Sequence, residues 1–94
     1  MIAVAWTSAF RRAYKRYRKT RPDLKENIAL ALKNLQENPS HPGLNTHMLR
    51  GRQDGVWSCS VAYDCRIIFV FRHNDETNAK EILLLSMGTH DEVY

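Results

Sequence analysis

The chain has 94 residues, of which 44% are hydrophobic and 26% are charged, a composition that excludes a disordered segment and predicts a single domain over residues 1–94. Its formal net charge is +4. No apolar run approaches the roughly 20 residues that a membrane helix needs, and the N-terminus lacks the basic start of a secretion signal. We therefore expect a cytoplasmic protein that has no contact with a membrane.

The first half of the sequence predicts one strand and two helices. Residues 2–6 form a short apolar run that is typical of a strand. From Ser8 the apolar residues recur at three- and four-residue steps, which predicts a helix that ends near Thr20. A second helix is expected to begin at Pro22 and to end before Pro39. Because the joint between them is short, the two helices should form an antiparallel hairpin.

The second half predicts strands after a loop at residues 38–45. The segments are a short strand or extended entry at 46–50, a hairpin of 56–63 and 65–72, and a final strand at 80–87. The order β-α-α-β-β-β predicts a two-layer α+β fold, with the helix hairpin packed on one face of an antiparallel sheet. The other face of such a sheet remains accessible.

Two cysteines, Cys59 and Cys65, flank the turn predicted for the hairpin. The expected register does not place them opposite each other, so we expect reduced, partly buried thiols rather than a disulfide. A nucleophilic Cys–His pair remains open, although no neighbouring motif supports it.

Basic residues are concentrated in the first helix and the joint after it. Eight of the fourteen lysines and arginines fall between positions 11 and 25, where Asp23 is the only acidic residue. This clustering favours a polyanion or an acidic protein as partner, and a solvated helix face is the alternative. The candidate nucleic-acid contacts on the helix are Arg11, Arg12, Lys15, Arg16, Arg18 and Lys19.

Two histidines and one arginine are the candidates for chemistry. His90 follows the apolar run at 82–85, so a buried strand can hold it near solvent. His47 is a second candidate, since histidine exchanges protons near neutral pH. Arg66 lies early in an apolar strand, where burying an unpaired charge is costly, so we expect it on the accessible face. A cross-strand ion pair with a residue such as Glu81 is the alternative role for this arginine.

The chain resembles the RelE/ParE superfamily of bacterial toxins from toxin–antitoxin pairs. The element order carries this resemblance together with five short strings: Asn-Pro at 38–39, His-Met-Leu-Arg-Gly at 47–51, Gly-Val-Trp-Ser at 55–58, Asp-Cys-Arg-Ile-Ile-Phe at 64–69 and Gly-Thr-His-Asp-Glu-Val-Tyr at 88–94. Within the superfamily it is most similar to the YafQ-type ribonucleases.

The resemblance implies a type II toxin that enters the ribosomal A site and cuts mRNA without a metal or other cofactor. It implies a cognate antitoxin that covers the site. The residues at matching catalytic positions are His47, Asp64, Arg66, His90 and Tyr94, and Arg50 matches a basic position of RelE. The arginine is expected to contact the scissile phosphate, and which histidine is base and which is acid stays open. For Asp64 a purely backbone role in the turn, and for Tyr94 packing on the sheet, are the alternatives.

The sequence departs from the family pattern at four positions. Ser86 stands where some YafQ-type chains have an arginine, and Ser60 stands where they have a histidine. The paired lysines of RelE fall near Trp57 and Cys59 and are absent. These departures leave the stabilisation of phosphate charge mainly to Arg66, with Arg50 as a second candidate. The alternative function is that of a ParE-like toxin, which inhibits DNA gyrase and needs no acid–base pair.

The histidines and cysteines show no convergent pairs at the spacing of a zinc site. We therefore expect no bound metal.

Overall fold

The computed structural model describes residues 1–49 and 55–93, and it places two helices against one face of a five-stranded sheet. The elements in chain order are β1 (Ala3–Trp6), α1 (Ser8–Thr20), a 3-10 turn (Pro22–Leu24), α2 (Lys25–Glu37), a second 3-10 turn (Pro42–Leu44), β2 (His47–Met48), β3 (Val56–Ala62), β4 (Cys65–Asn74), β5 (Ala79–Gly88) and α3 (His90–Val93). The predicted α+β class and the helix hairpin on a sheet are confirmed.

Helix α1 begins where Thr7 satisfies its first free backbone groups. The Thr7 hydroxyl accepts a hydrogen bond from the Phe10 N–H at 3.1 Å and donates one to the Leu84 carbonyl at 2.8 Å. This single residue therefore caps the helix and ties it to β5. The buried stripe of α1 consists of Phe10, Ala13 and Tyr17, as the apolar spacing predicts.

The sheet has the strand order β1-β5-β4-β3-β2, with β1 and β2 at its edges. All neighbours are antiparallel except β1 and β5, which run parallel with Ala3 opposite Glu81 and Trp6 opposite Leu84. The prediction of a wholly antiparallel sheet is therefore wrong for this pair. The intervening helices carry the chain across the sheet, which is the long crossover that parallel pairing requires. The short helix α3 was not predicted either.

The core lies between the helices and one face of the sheet. Its sheet residues include Cys59, Ile67, Phe69 and Leu84, all fully buried. Both cysteines are free, as predicted, and they are fully buried rather than partly buried. Burial raises the pKa of the Cys59 thiol to about 12, so this thiol stays protonated and unreactive at neutral pH.

Two irregularities break the register of the sheet. Between β3 and β4 the pairs Ser60–Arg66 and Ala62–Cys65 leave Val61 as an extra residue. Between β4 and β5 the pairs Ile68–Ser86 and Phe69–Leu84 leave Leu85 extra. Such β-bulges bend a strand and change which side chains face each other.

In residues 1–49 and 55–93 no helix has the length and apolar content that crossing a bilayer demands.

Candidate functional site

The sheet face that points away from the helices is called here the outer face. Side chains alternate along a strand and cross-strand partners share a face. His47 is paired with Ser58, Ser58 with Ile68, and Ser60 with Arg66. These five side chains therefore lie on the outer face, opposite the core residues Cys59 and Ile67.

His47, Arg66 and His90 come to the same end of the sheet, beside the β3–β4 turn. Arg66 is the second residue of β4 and lies opposite Gly88 on β5, and His90 follows Gly88 by two residues. His47 starts β2, two strands away from Arg66. Strand spacing and rise put the Cα atoms of His47 and Arg66 about 12 Å apart. The structure thus places these three residues, which are far apart in the sequence, towards the same end of the sheet.

The outer face is not open over its whole area. Ser58 is 0% exposed and Ile68 is 2% exposed, although neither belongs to the core under the helices. Arg66 and Ser60 are half-buried, whereas His47 and His90 are exposed. The expectation of an accessible outer face therefore holds for His47 and not for the centre of the sheet.

Arg66 is held by a hydrogen bond across the hairpin. Its Nη1 donates to the Ser60 hydroxyl oxygen at 3.0 Å. The alternative partner Glu81 lies towards the other end of β5, opposite Arg72. Glu81 accepts hydrogen bonds from Arg72 Nε and, at 3.3 Å, from Asn74 Nδ2. The ion pair of Glu81 is therefore made with Arg72 and not with Arg66.

The carboxylate of Glu81 is a source of pH-dependent stability. The hydrogen bond from Arg72, followed by that from Asn74, lowers the pKa of Glu81 below its ordinary value of 4.5. A group with a lowered folded-state pKa stabilises the fold above its unfolded pKa, and the contribution disappears as the pH falls through the folded-state pKa. The free energy of unfolding should therefore fall as the pH drops below about 4.5.

We expect Glu81→Gln to be less stable than the parent at pH 7 and to approach it at pH 3, where Glu81 is protonated in the unfolded chain. Urea unfolding at the two pH values measures the difference. Asp23→Asn is the matched control, because the lowered pKa of Asp23 belongs to an exposed pair with Arg21. An equal stability gap at both pH values for Glu81→Gln would contradict the assignment.

His47 is oriented by the loop that precedes β2. Its Nδ1 lies 3.0 Å from the carbonyl oxygen of Asn45. A carbonyl only accepts hydrogen bonds, so Nδ1 carries the proton and Nε2 is the proton-accepting nitrogen of the neutral ring. Asn45 has a left-handed backbone with φ 48°, a conformation that asparagine tolerates better than most residues. The sequence gives no direct sign of this role for Asn45.

Asp64 lies in the β3–β4 turn, beside the beginning of α3. Its Oδ1 accepts a hydrogen bond from the backbone N–H of His90 at 3.5 Å. A carboxylate at this position satisfies a free backbone donor of the helix turn that carries His90. The contact links the turn to His90 and agrees with an orienting role for Asp64.

The basic residues of α1 line two grooves. A groove of about 660 Å³ lies between α1 and the end of β5, with Arg12, Arg16 and Ser86 among its lining residues. A second groove of about 390 Å³ is lined by residues that include Arg11, Arg12 and Lys15. The remaining candidates are Arg18, whose guanidinium lies 5.9 Å from the centre of the Tyr14 ring, and the exposed Lys19.

Arg50 and Tyr94 lie outside the described residues. Among the side chains that the structure describes, no three from His, Cys, Asp and Glu form a cluster that would hold a metal ion. The protonated Cys59 does not fit a nucleophilic Cys–His pair. Sequence reasoning assigned no role to Ser60 and Asn45, which contact Arg66 and His47 respectively.

Comparison with known proteins identifies the family of this chain. The family model of YafQ, a bacterial toxin of type II toxin–antitoxin systems, matches residues 2–94. The chain belongs to the YafQ family. Among curated proteins, no sequence gives a significant match.

Solved structures of toxins share the fold of this YafQ-family chain. A crystal structure of the Escherichia coli DinJ–YafQ toxin–antitoxin complex is similar with a TM-score of 0.77 at 18% identity, over 99% of this chain and 97% of the other. A YoeB/ParE toxin from Agrobacterium tumefaciens has a TM-score of 0.76 at 17% identity, over 95% and 99%. A metal-bound toxin from Helicobacter pylori has a TM-score of 0.72 at 23% identity, over 100% of both chains. At these identities the likeness shows the fold alone.

Proposed function

We propose that this YafQ-family toxin is a cytoplasmic, ribosome-associated endoribonuclease that cleaves mRNA by metal-independent acid–base catalysis. The observation that carries the proposal is the placement of His47, Arg66 and His90 at one end of the sheet. Two imidazoles and a guanidinium are the groups that RNA cleavage requires in the absence of a metal.

The proposed reaction uses the ribose 2′-OH as nucleophile on the adjacent phosphorus. The 2′-oxygen bonds to phosphorus, the bond to the 5′-oxygen breaks, and the products carry a 2′,3′-cyclic phosphate and a 5′-hydroxyl. DNA has no 2′-hydroxyl, so the chemistry selects RNA. One base must take the proton of the nucleophile, and one acid must donate a proton to the leaving oxygen.

We assign the base to His47 and the acid to His90. The Nδ1 contact with the Asn45 carbonyl leaves Nε2 of His47 as the nitrogen that accepts the 2′-hydroxyl proton. His90, across the same end of the sheet, is then the donor to the 5′-oxygen. Asp64 orients His90 through the backbone N–H that it binds. We further propose that Tyr94 contacts a base or a phosphate of the RNA.

Arg66 stabilises the negative charge that develops on the phosphate. Its planar fork of N–H donors matches two phosphate oxygens. Arg66 is paired with Gly88 on β5, two residues before the proposed acid. This proximity along the sheet supports a shared phosphate between the two groups.

The basic helix serves as the contact with ribosomal RNA, together with Arg50. Arg11, Arg12, Lys15 and Arg16 line the two grooves along one side of α1, so a phosphate backbone can follow the helix. Such binding depends on salt, because each neutralised phosphate releases counterions.

We expect Arg12→Gln/Arg16→Gln to weaken ribosome binding and to reduce the slope of log affinity against log salt by about 1.4, which is about 0.7 for each lost phosphate contact. Lys25→Gln/Lys33→Gln on α2 removes the same charge from exposed positions and is the matched control. Co-sedimentation with ribosomes over a salt series measures both. Equal slopes for the two double variants would contradict the proposed contact.

An antitoxin is the proposed protein partner. The structure of the Escherichia coli relative is a complex of YafQ with DinJ, a toxin–antitoxin pair. An acidic or amphipathic chain fits the basic helix and the exposed end of the outer face in charge. Co-expression with the adjoining reading frame should yield a complex that suppresses cleavage.

The test of the function is primer extension on a translated mRNA after induction, combined with analysis of the fragment ends. We expect cuts that depend on translating ribosomes and fragments that end in a 2′,3′-cyclic phosphate. A protein that leaves mRNA intact on translating ribosomes and, when purified, inhibits gyrase supercoiling would favour the ParE-like alternative and overturn the proposal.

A further inference from the structure

Ser60 and Arg66 face each other across the β3–β4 hairpin on the outer face. Arg66 Nη1 donates a hydrogen bond to the Ser60 hydroxyl oxygen at 3.0 Å, and both side chains are half-buried.

The β-bulge at Val61 creates this pair. The turn pairs Ala62 with Cys65, so a regular hairpin would continue with Val61 opposite Arg66. The extra residue moves Ser60 into that place, and Val61 packs against the core instead. Bulges beside functional sites commonly redirect a side chain in this way.

The neighbour of Arg66 on its other side is Gly88, which has no side chain. Of the two residues paired directly with Arg66, Ser60 is therefore the one whose side chain contacts it. A hydroxyl fixes one N–H of the guanidinium without adding negative charge, whereas a carboxylate would compete with phosphate for the same donors. The guanidinium has five N–H donors, of which this bond uses one.

We propose that Ser60 is a positioning residue for Arg66, holding the guanidinium in the orientation that meets the scissile phosphate. The inference rests on the proposed ribonuclease function and deepens it. An arginine has several rotatable bonds, so fixing one N–H lowers the entropy lost when phosphate binds. The contact between Arg66 and the phosphate strengthens as negative charge develops on the phosphate. Loss of the Ser60 hydrogen bond should therefore lower the rate of cleavage more than the affinity for the substrate.

The experiment measures single-turnover cleavage of mRNA on programmed ribosomes for the parent, Ser60→Ala, Ser60→Thr, Arg66→Ala and the double variant Ser60→Ala/Arg66→Ala. We expect Ser60→Ala to lower the maximal rate about tenfold with little change in half-saturation, the size of one hydrogen bond to a charged group. Ser60→Thr keeps the hydroxyl and should restore most of the rate. In the Arg66→Ala background, Ser60→Ala should have no further effect.

Thr77→Ala is the control, because it removes an exposed hydroxyl just after Asn74, beyond the end of β4 that lies opposite to Arg66. It should cleave at the parental rate, and thermal unfolding should show all variants folded. If Arg66→Ala loses cleavage while Ser60→Ala keeps the parental rate, the positioning role is wrong and the proposed function stands. Equal losses from Ser60→Ala in both arginine backgrounds would also overturn it. A parent protein that leaves every transcript intact overturns both proposals.

Discussion

His90→Ala is expected to lower the rate of mRNA cleavage about a hundredfold to ten-thousandfold, the usual contribution of a positioned general acid or base. The substitution keeps the backbone N–H that donates to Asp64, so α3 should retain its contact with the β3–β4 turn. The loss is therefore expected in the rate and not in stability. Single-turnover cleavage and thermal unfolding of the same preparations separate the two effects.

His73→Ala is the matched control for this prediction. His73 lies on β4 as Arg66 does, but at the opposite end of the strand, where its Nε2 is 3.9 Å from Asp75 Oδ1. It is an exposed histidine outside the proposed site, so its loss should leave cleavage unchanged. Similar rates for His90→Ala and the parent would show that another group supplies the proton.

Arg66→Ala is expected to reduce cleavage by about a hundredfold or more, since a preorganised charge at the developing oxyanion is often a large part of catalysis. Arg66→Lys should recover only part of the rate. Lysine supplies a positive charge but lacks the planar fork that meets two phosphate oxygens. The measurement is the cleavage rate at saturating ribosomes.

Arg72→Lys is the control for Arg66→Lys, because Arg72 lies on the same strand and face and is paired with Glu81. It should change stability slightly and cleavage not at all. If Arg66→Lys cleaves as fast as the parent, bidentate phosphate contact is not part of the mechanism. If Arg66→Ala also keeps the parental rate, the site assigned to this end of the sheet is wrong.

The sequence predicts most of the helices and strands, because each of them follows from a pattern of residues within a short segment. The buried stripe of Phe10, Ala13 and Tyr17 has helical spacing. The alternation of Ile67, Phe69 and Phe71 towards the core is that of a strand. Cys59 and Cys65 are separated in register by the turn and bulge, and no disulfide forms. These features depend on periodicity, turns and composition within a few residues.

Pairing over long distances was not predictable from the sequence alone. Nothing in residues 2–6 indicates whether their partner strand runs parallel or antiparallel, and β1 is paired with β5 in parallel. That Ser60 is paired with Arg66 could not be predicted either, because this pairing depends on the β-bulge at Val61. Glu81 was a reasonable ion-pair partner for Arg66 by charge, but the strand register places Glu81 opposite Arg72.

The proposed site combines both kinds of information. Family resemblance suggested the residue types, while their meeting at one end of the sheet depends on the strand order. His47 reaches that end because β2 is paired with β3 from its first residue. The contact of Asp64 with the His90 N–H depends on the short α3, which four residues of sequence were too few to indicate.

The parallel pairing of β1 with β5 has a consequence for synthesis of the toxin. Thr7 and Leu84 are hydrogen-bonded although they are 77 residues apart, so β1 has no strand to join until β5 has left the exit tunnel. Contacts of such long range also slow folding. Until β5 is available, a nascent chain therefore carries β1 without its parallel partner, and the sheet closes only when its last strand joins.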